Sequence, residues 1–126
     1  MNGKMISNIL VGFVALQHFG FLVLEMFLWT KPIGMRIFNL TPELAEQTAA
    51  LAANQGLYNG FLAAGLIWGL MKKDEGYSTK VFFLTCLVIA GIFGGATAKP
   101  SILLVQGVPA FLALTLVILS KRTTPQ

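Results

Sequence analysis

Charge is scarce in this 126-residue chain: 11% of its residues are charged, against 56% hydrophobic. A soluble domain carries about a quarter charged residues, so an ordinary water-soluble fold is excluded. Cysteine is all but absent. The single Cys86 rules out an intrachain disulfide, and inside an apolar run it reads as a small hydrophobe. There is one histidine, His18, and no cluster of His, Cys and carboxylates, so neither a metal nor a cofactor is expected. A Ser-His-Asp order, a phosphate-binding glycine loop and a haem attachment motif are missing too. The net charge is +4, but the basic residues are dispersed and no aromatic-basic face stands outside the apolar runs. Nucleic acid is therefore not an expected partner.

What is present is hydrophobic length. Four apolar runs fill most of the chain, each long enough for a bilayer core of about 30 Å. The expected fold is an all-α membrane protein: a four-transmembrane-helix antiparallel bundle in one domain, 1–126. The spans are read at about 5–29, 42–71, 79–98 and 101–119. The first run continues to Trp29 without a small-residue cleavage site, so it reads as a retained helix and not a signal peptide. Lys31-Pro32 stops it, and 31–40 reads as a loop. Thr41-Pro42-Glu43 starts the second helix: threonine as cap, proline at the first helical position, glutamate at the positive end of the dipole. That helix is longer than a bilayer needs, so its first turns extend beyond the membrane. Lys72 to Gly76 forms a polar turn, Lys99-Pro100 a very tight connection, and a short tail follows Leu119.

Positive residues set the orientation. With the N-terminus inside, Lys4, Lys72, Lys73, Lys80, Lys121 and Arg122 are inner, and Lys31, Arg36 and Lys99 are outer. This bias predicts a multi-pass protein of the inner membrane with both termini cytoplasmic.

The polar residues inside the runs then acquire depth. Glu25, Asn54, Gln55, Tyr58 and Gln106 fall in outer halves, and His18 and Asn59 approach the middle. His18 and Glu25, seven residues apart, share one stripe of the first helix. Ionisable groups inside a membrane usually face the bundle interior. Asn54, Gln55, Tyr58 and Asn59 span one broad arc of the second helix. Ala49, Ala52, Ala53, Gly56, Gly60 and Ala63 form the opposite, small-residue side, suited to close helix approach. Gly91, Gly94, Gly95 and Ala98 make a similar face on the third. Pro109 withdraws a backbone donor beside Gln106, so a bend is expected there.

The strings Leu24-Glu-Met-Phe-Leu-Trp29, Pro32-x-Gly34 and Leu51-Ala-Ala-Asn-Gln-Gly-Leu-Tyr-Asn-Gly-Phe-Leu-Ala63 closely resemble the bacterial small integral-membrane family known as domain of unknown function 1304. The resemblance covers nearly the whole chain. It implies a four-helix inner-membrane protein and brings no activity with it.

Together these features predict an outward-open polar pocket that binds, with or without transforming, a small amphiphilic molecule. Its expected lining is Glu25, Asn54, Gln55, Tyr58, Asn59 and Gln106, with His18 deeper. Two other readings compete: a structural or accessory subunit, whose polar residues only hold helices together, and a small-solute transporter. The expected partners are membrane lipids, the amphiphile, and a second copy of the chain met through the small-residue faces.

Overall fold

The computed structural model describes residues 2–122. Every regular element among them is helical. In order these are α1 (Gly3–Met26), α2 (Pro32–Phe38), α3 (Pro42–Met71), a 3-10 turn (Lys73–Gly76), α4 (Tyr77–Thr97), α5 (Pro100–Ile102), a π turn (Leu103–Gly107) and α6 (Val108–Arg122). The tail expected at the C-terminus lies, beyond Arg122, outside the described residues.

Three stretches are long and apolar enough to cross a membrane: Gly3–Met26, Lys73–Thr97 and Pro100–Arg122. Large apolar side chains stand exposed along all of them, Leu16 at 71%, Phe93 at 69% and Leu104 at 67% among them. In water such surfaces would be a continuous liability; against lipid tails they need no cover. α3 is longer, at 30 residues, but Glu43, Glu46, Gln47, Asn54, Gln55 and Asn59 dilute its apolar content.

The residues group into two compact units. One takes the chain up to Ala15 and again from Ala64 onward; the other is Leu16–Ala63. The first unit is held by small residues. A Cβ added at Gly91 of α4 would lie 2.5 Å from the Gly107 Cα in the π turn. Backbone thus meets backbone, an approach only glycine permits. Further along, Gly94 faces Ile102 and Gly95 faces Leu103. The buried side chains include Leu66, Leu84, Leu87, Ala110, Ala113 and Val117. The bend expected at Pro109 takes the form of a widened turn: the Val108 N–H donates to the Leu103 carbonyl, five residues back. Proline cannot continue an i→i−4 ladder, and a π turn is one way a helix absorbs the missing donor.

The second unit contains an element the sequence did not announce as such. The 31–40 segment, read as a loop, carries helix α2. Pro32 sits at its first position, and Asn39 closes it in the left-handed region at φ 53°. Both are ordinary helix-end signals, but seven residues are too few for a periodic pattern. Gly34 is packed so tightly that an added Cβ would sit 1.9 Å from the Leu28 carbonyl oxygen. α3 starts as expected: the Thr41 hydroxyl accepts from the Leu44 N–H at 3.2 Å. Trp29 donates its indole N–H to the Thr48 hydroxyl at 2.9 Å, and Thr48 donates onward to the Leu44 carbonyl at 2.7 Å. The Trp29 ring lies against Phe38, centroids 4.6 Å apart. The segment that follows α1, the end of α2 and the first turns of α3 are thereby tied together.

Candidate functional site

The polar residues singled out in the second unit are not equivalent. Ala45, Ala52, Gly56, Asn59, Gly60 and Ala63 form the buried side of α3. This is the small-residue side, and α1 lies on it. A Cβ at Gly56 would meet Met26, Glu25 and Leu22, and one at Gly60 would meet Leu22 at 2.4 Å. The side chain of Glu25 therefore comes down beside glycine, where there is room for it.

Its partner is Asn59. The Asn59 Nδ2 donates to Glu25 Oε2 at 2.9 Å. Asn59 is 5% exposed, and Glu25 is half-buried. Grouping Asn59 with Asn54, Gln55 and Tyr58 on one arc obscured this. At 100° per residue, Asn59 stands about 140° around the helix from Asn54 but only about 60° from Gly56. It belongs to the packed side, while Asn54, Gln55 and Tyr58 are exposed.

His18 is completely buried. Its ring meets the edge of Phe21 at 5.2 Å and an interplanar angle of 80°. Gln106 belongs to the other unit, where it is half-buried within the π turn. Thus the structure brings together Glu25 and Asn59, sets Asn54, Gln55 and Tyr58 on the exposed side of α3, and buries His18.

Chemically, Glu25 and Asn59 are an acceptor-rich and a donor group held at one point of an apolar surround. A carboxylate accepts about four hydrogen bonds, and the Asn59 amide occupies one position on one oxygen. The remaining acceptor capacity suits an amine, an amide or a hydroxyl. Among the described residues no group of three or more His, Cys, Asp or Glu could hold a metal ion.

Sequence reasoning passed over a second polar pair, in the first unit. Lys80, only 6% exposed, donates from Nζ to the Asn8 Oδ1 at 3.0 Å. In the sequence Lys80 reads as a topology charge, and Asn8 gives no signal of its own. The available signal was a lysine set inside the start of an apolar run, one turn beyond the polar turn.

The chain is similar to the Uncharacterized protein YpaA of Lactococcus lactis subsp. lactis (strain IL1403), with 32% identity over 103 residues, which is 80% of this chain and 87% of that protein. No solved structure matches it. The chain belongs to the family described as Protein of unknown function (DUF1304), which matches residues 12–118.

Proposed function

We propose that the chain is a four-pass protein of the inner membrane, its spans alternating in direction, that binds a small amphiphilic molecule through Glu25 and Asn59. The observation that carries this reading is the 2.9 Å bond between a half-buried carboxylate and a buried amide in two largely apolar helices. Charge inside such a helix is costly and is usually tied to function. An amphiphile would present its polar head to Glu25 and its apolar part to the exposed side chains around it. Asn54, Gln55 and Tyr58 would form the polar rim at the headgroup layer, and His18 the deeper group.

Counting α3 as the fourth span is supported by its second half. Phe61 is 57% exposed, Trp68 55% and Met71 74%, a surface that lipid would cover. Glu25 lies one residue from the end of α1, so in this topology the site opens toward the outer face. The positive-inside bias supports the same orientation.

A structural role is the competing reading, and one observation favours it: Asn59 by itself gives Glu25 a hydrogen bond. Native mass spectrometry of protein extracted from membranes in mild detergent separates the two. The binding reading expects a noncovalent small-molecule adduct that persists in Glu46→Gln, an exposed control, and is lost in Glu25→Gln. A wild-type protein carrying no adduct, or one equally retained by Glu25→Gln, favours the structural reading.

A further inference from the structure

The bond between Asn59 and Glu25 uses one carboxyl oxygen and the amide nitrogen. That leaves two acceptors, Glu25 Oε1 and Asn59 Oδ1. Among the described residues no donor of the chain reaches either of them, and neither is sealed away as a buried, unsatisfied atom. Asn59 is only 5% exposed. An amide's oxygen and nitrogen share one carbon, so Oδ1 stays beside the carboxyl that the nitrogen holds. Gly56 allows this closeness: a Cβ there would lie 3.0 Å from the Glu25 Cβ.

The charge is unbalanced as well. The ion pair among the described residues joins Lys4 to Asp74, in the other unit. Lys31 and Arg36, the basic residues of 16–63, are both exposed. No cationic side chain acts on the Glu25 carboxyl, which meets only its own burial and the Asn59 amide. A carboxylate in apolar surroundings ordinarily has a cationic partner. These groups select among occupants that could supply one. Oxygens that only accept repel a phosphate, a carboxylate or a carbonyl. A hydroxyl or an amide satisfies the acceptors and leaves the charge. A hard metal cation balances the charge but takes about six oxygens, and no group of three or more His, Cys, Asp or Glu gathers among the described residues. A quaternary ammonium has no N–H to give. A primary ammonium brings both a positive charge and several N–H donors.

We propose that the amphiphile of this site is a primary amine, whose ammonium donates to Glu25 Oε1 and Asn59 Oδ1 and balances the carboxylate. The proposal deepens the amphiphile reading above and rests on it. Glu25 lies one residue from the end of α1, at headgroup depth in the proposed topology. A bilayer lipid with an amine headgroup and a free single-chain amine would each carry the ammonium at that depth.

The test is thermal unfolding of the full chain in a nonionic detergent at neutral pH, titrated with dodecylamine, dodecyltrimethylammonium or dodecanol. The three share one alkyl chain and differ in the head. The rise in midpoint with concentration gives each an apparent Kd. The wild type should bind dodecylamine about tenfold tighter than either of the others, the margin of a charge-assisted over a neutral hydrogen bond. Glu25→Gln should lose that margin, and the exposed control Glu46→Gln should keep it. Should Glu25→Gln fail to fold, the ranking in the wild type decides the matter. Dodecanol or dodecyltrimethylammonium bound as tightly as dodecylamine overturns the amine assignment; where that binding is lost in Glu25→Gln, the amphiphile reading survives it. An unchanged margin in Glu25→Gln also overturns the proposal. No stabilisation by any of the three overturns the amphiphile reading and the proposal with it. Native mass spectrometry from nanodiscs of equal phosphatidylethanolamine and phosphatidylcholine separates the two sources. Phosphatidylethanolamine enriched on the wild type but not on Glu25→Gln assigns the ammonium to a bilayer lipid. Tight dodecylamine binding without that enrichment assigns it to a free amine, and either result sustains the proposal.

Discussion

Replacing Asn59 by leucine removes the donor that satisfies Glu25 and leaves a carboxylate facing apolar neighbours. Stranding a buried polar group costs about 1–3 kcal/mol, so Asn59→Leu should lower stability by that order. Asn54→Leu, on the exposed side of the same helix, should stay within about 0.5 kcal/mol. Chemical unfolding in detergent measures both, and equal effects would contradict the pairing of Glu25 with Asn59. Gly34 and Gly12 give a second contrast. An alanine methyl at Gly34 would collide with the Leu28 carbonyl, whereas at Gly12 it meets nothing within 4 Å. Gly34→Ala should therefore destabilise by about 1–3 kcal/mol or more, and Gly12→Ala should be neutral or stabilising by up to about 1 kcal/mol, as read from thermal unfolding. The sequence makes Glu25 conspicuous as a carboxylate in an apolar helix, and Asn59 is the partner the structure gives it. It did not single out Asn59 among four candidates. Asn59 sits at the edge between polar and small-residue faces, and only the position of α1 decides which face it joins.

At the scale of elements, the glycines of α4 and the π turn carry a directional prediction. Gly91→Ala would push a methyl into the Gly107 backbone, with contacts of 2.5 Å to Cα and 2.7 Å to N. Neither atom can move without shifting a helix. Gly107→Ala would meet the end of the Leu103 side chain at 3.2 Å and Gly91 Cα at 3.6 Å, and leucine can rotate. Gly91→Ala should lower the thermal midpoint clearly while Gly107→Ala leaves it within a few degrees. The reverse order would mean that the two backbones are not in contact. The long helices were legible from their apolar runs, and the start of α3 from Thr41-Pro42. α2 was not, since a single short turn leaves no periodicity and its signals, Pro32 and Asn39, serve loops equally well. The π turn was foreshadowed only as a bend at Pro109: the missing N–H predicts that the ladder must change, not how.

For the whole molecule the decisive element is α3. Its first half carries acids and amides and its second half is mostly apolar, so composition alone does not place it across a membrane. Its exposed Phe61, Trp68 and Met71 and the basic residues that follow support reading it as a span. In the proposed topology that assignment would put the Glu25–Asn59 pair at the outer face. Reporter fusions measure it directly, using a phosphatase active only outside the cytoplasm joined after residue 39, 73, 99 or 122. Activity is expected after 39 and 99 and none after 73 and 122. Equal activity after 39 and 73 would show that α3 does not cross, and would contradict the proposed four-pass topology.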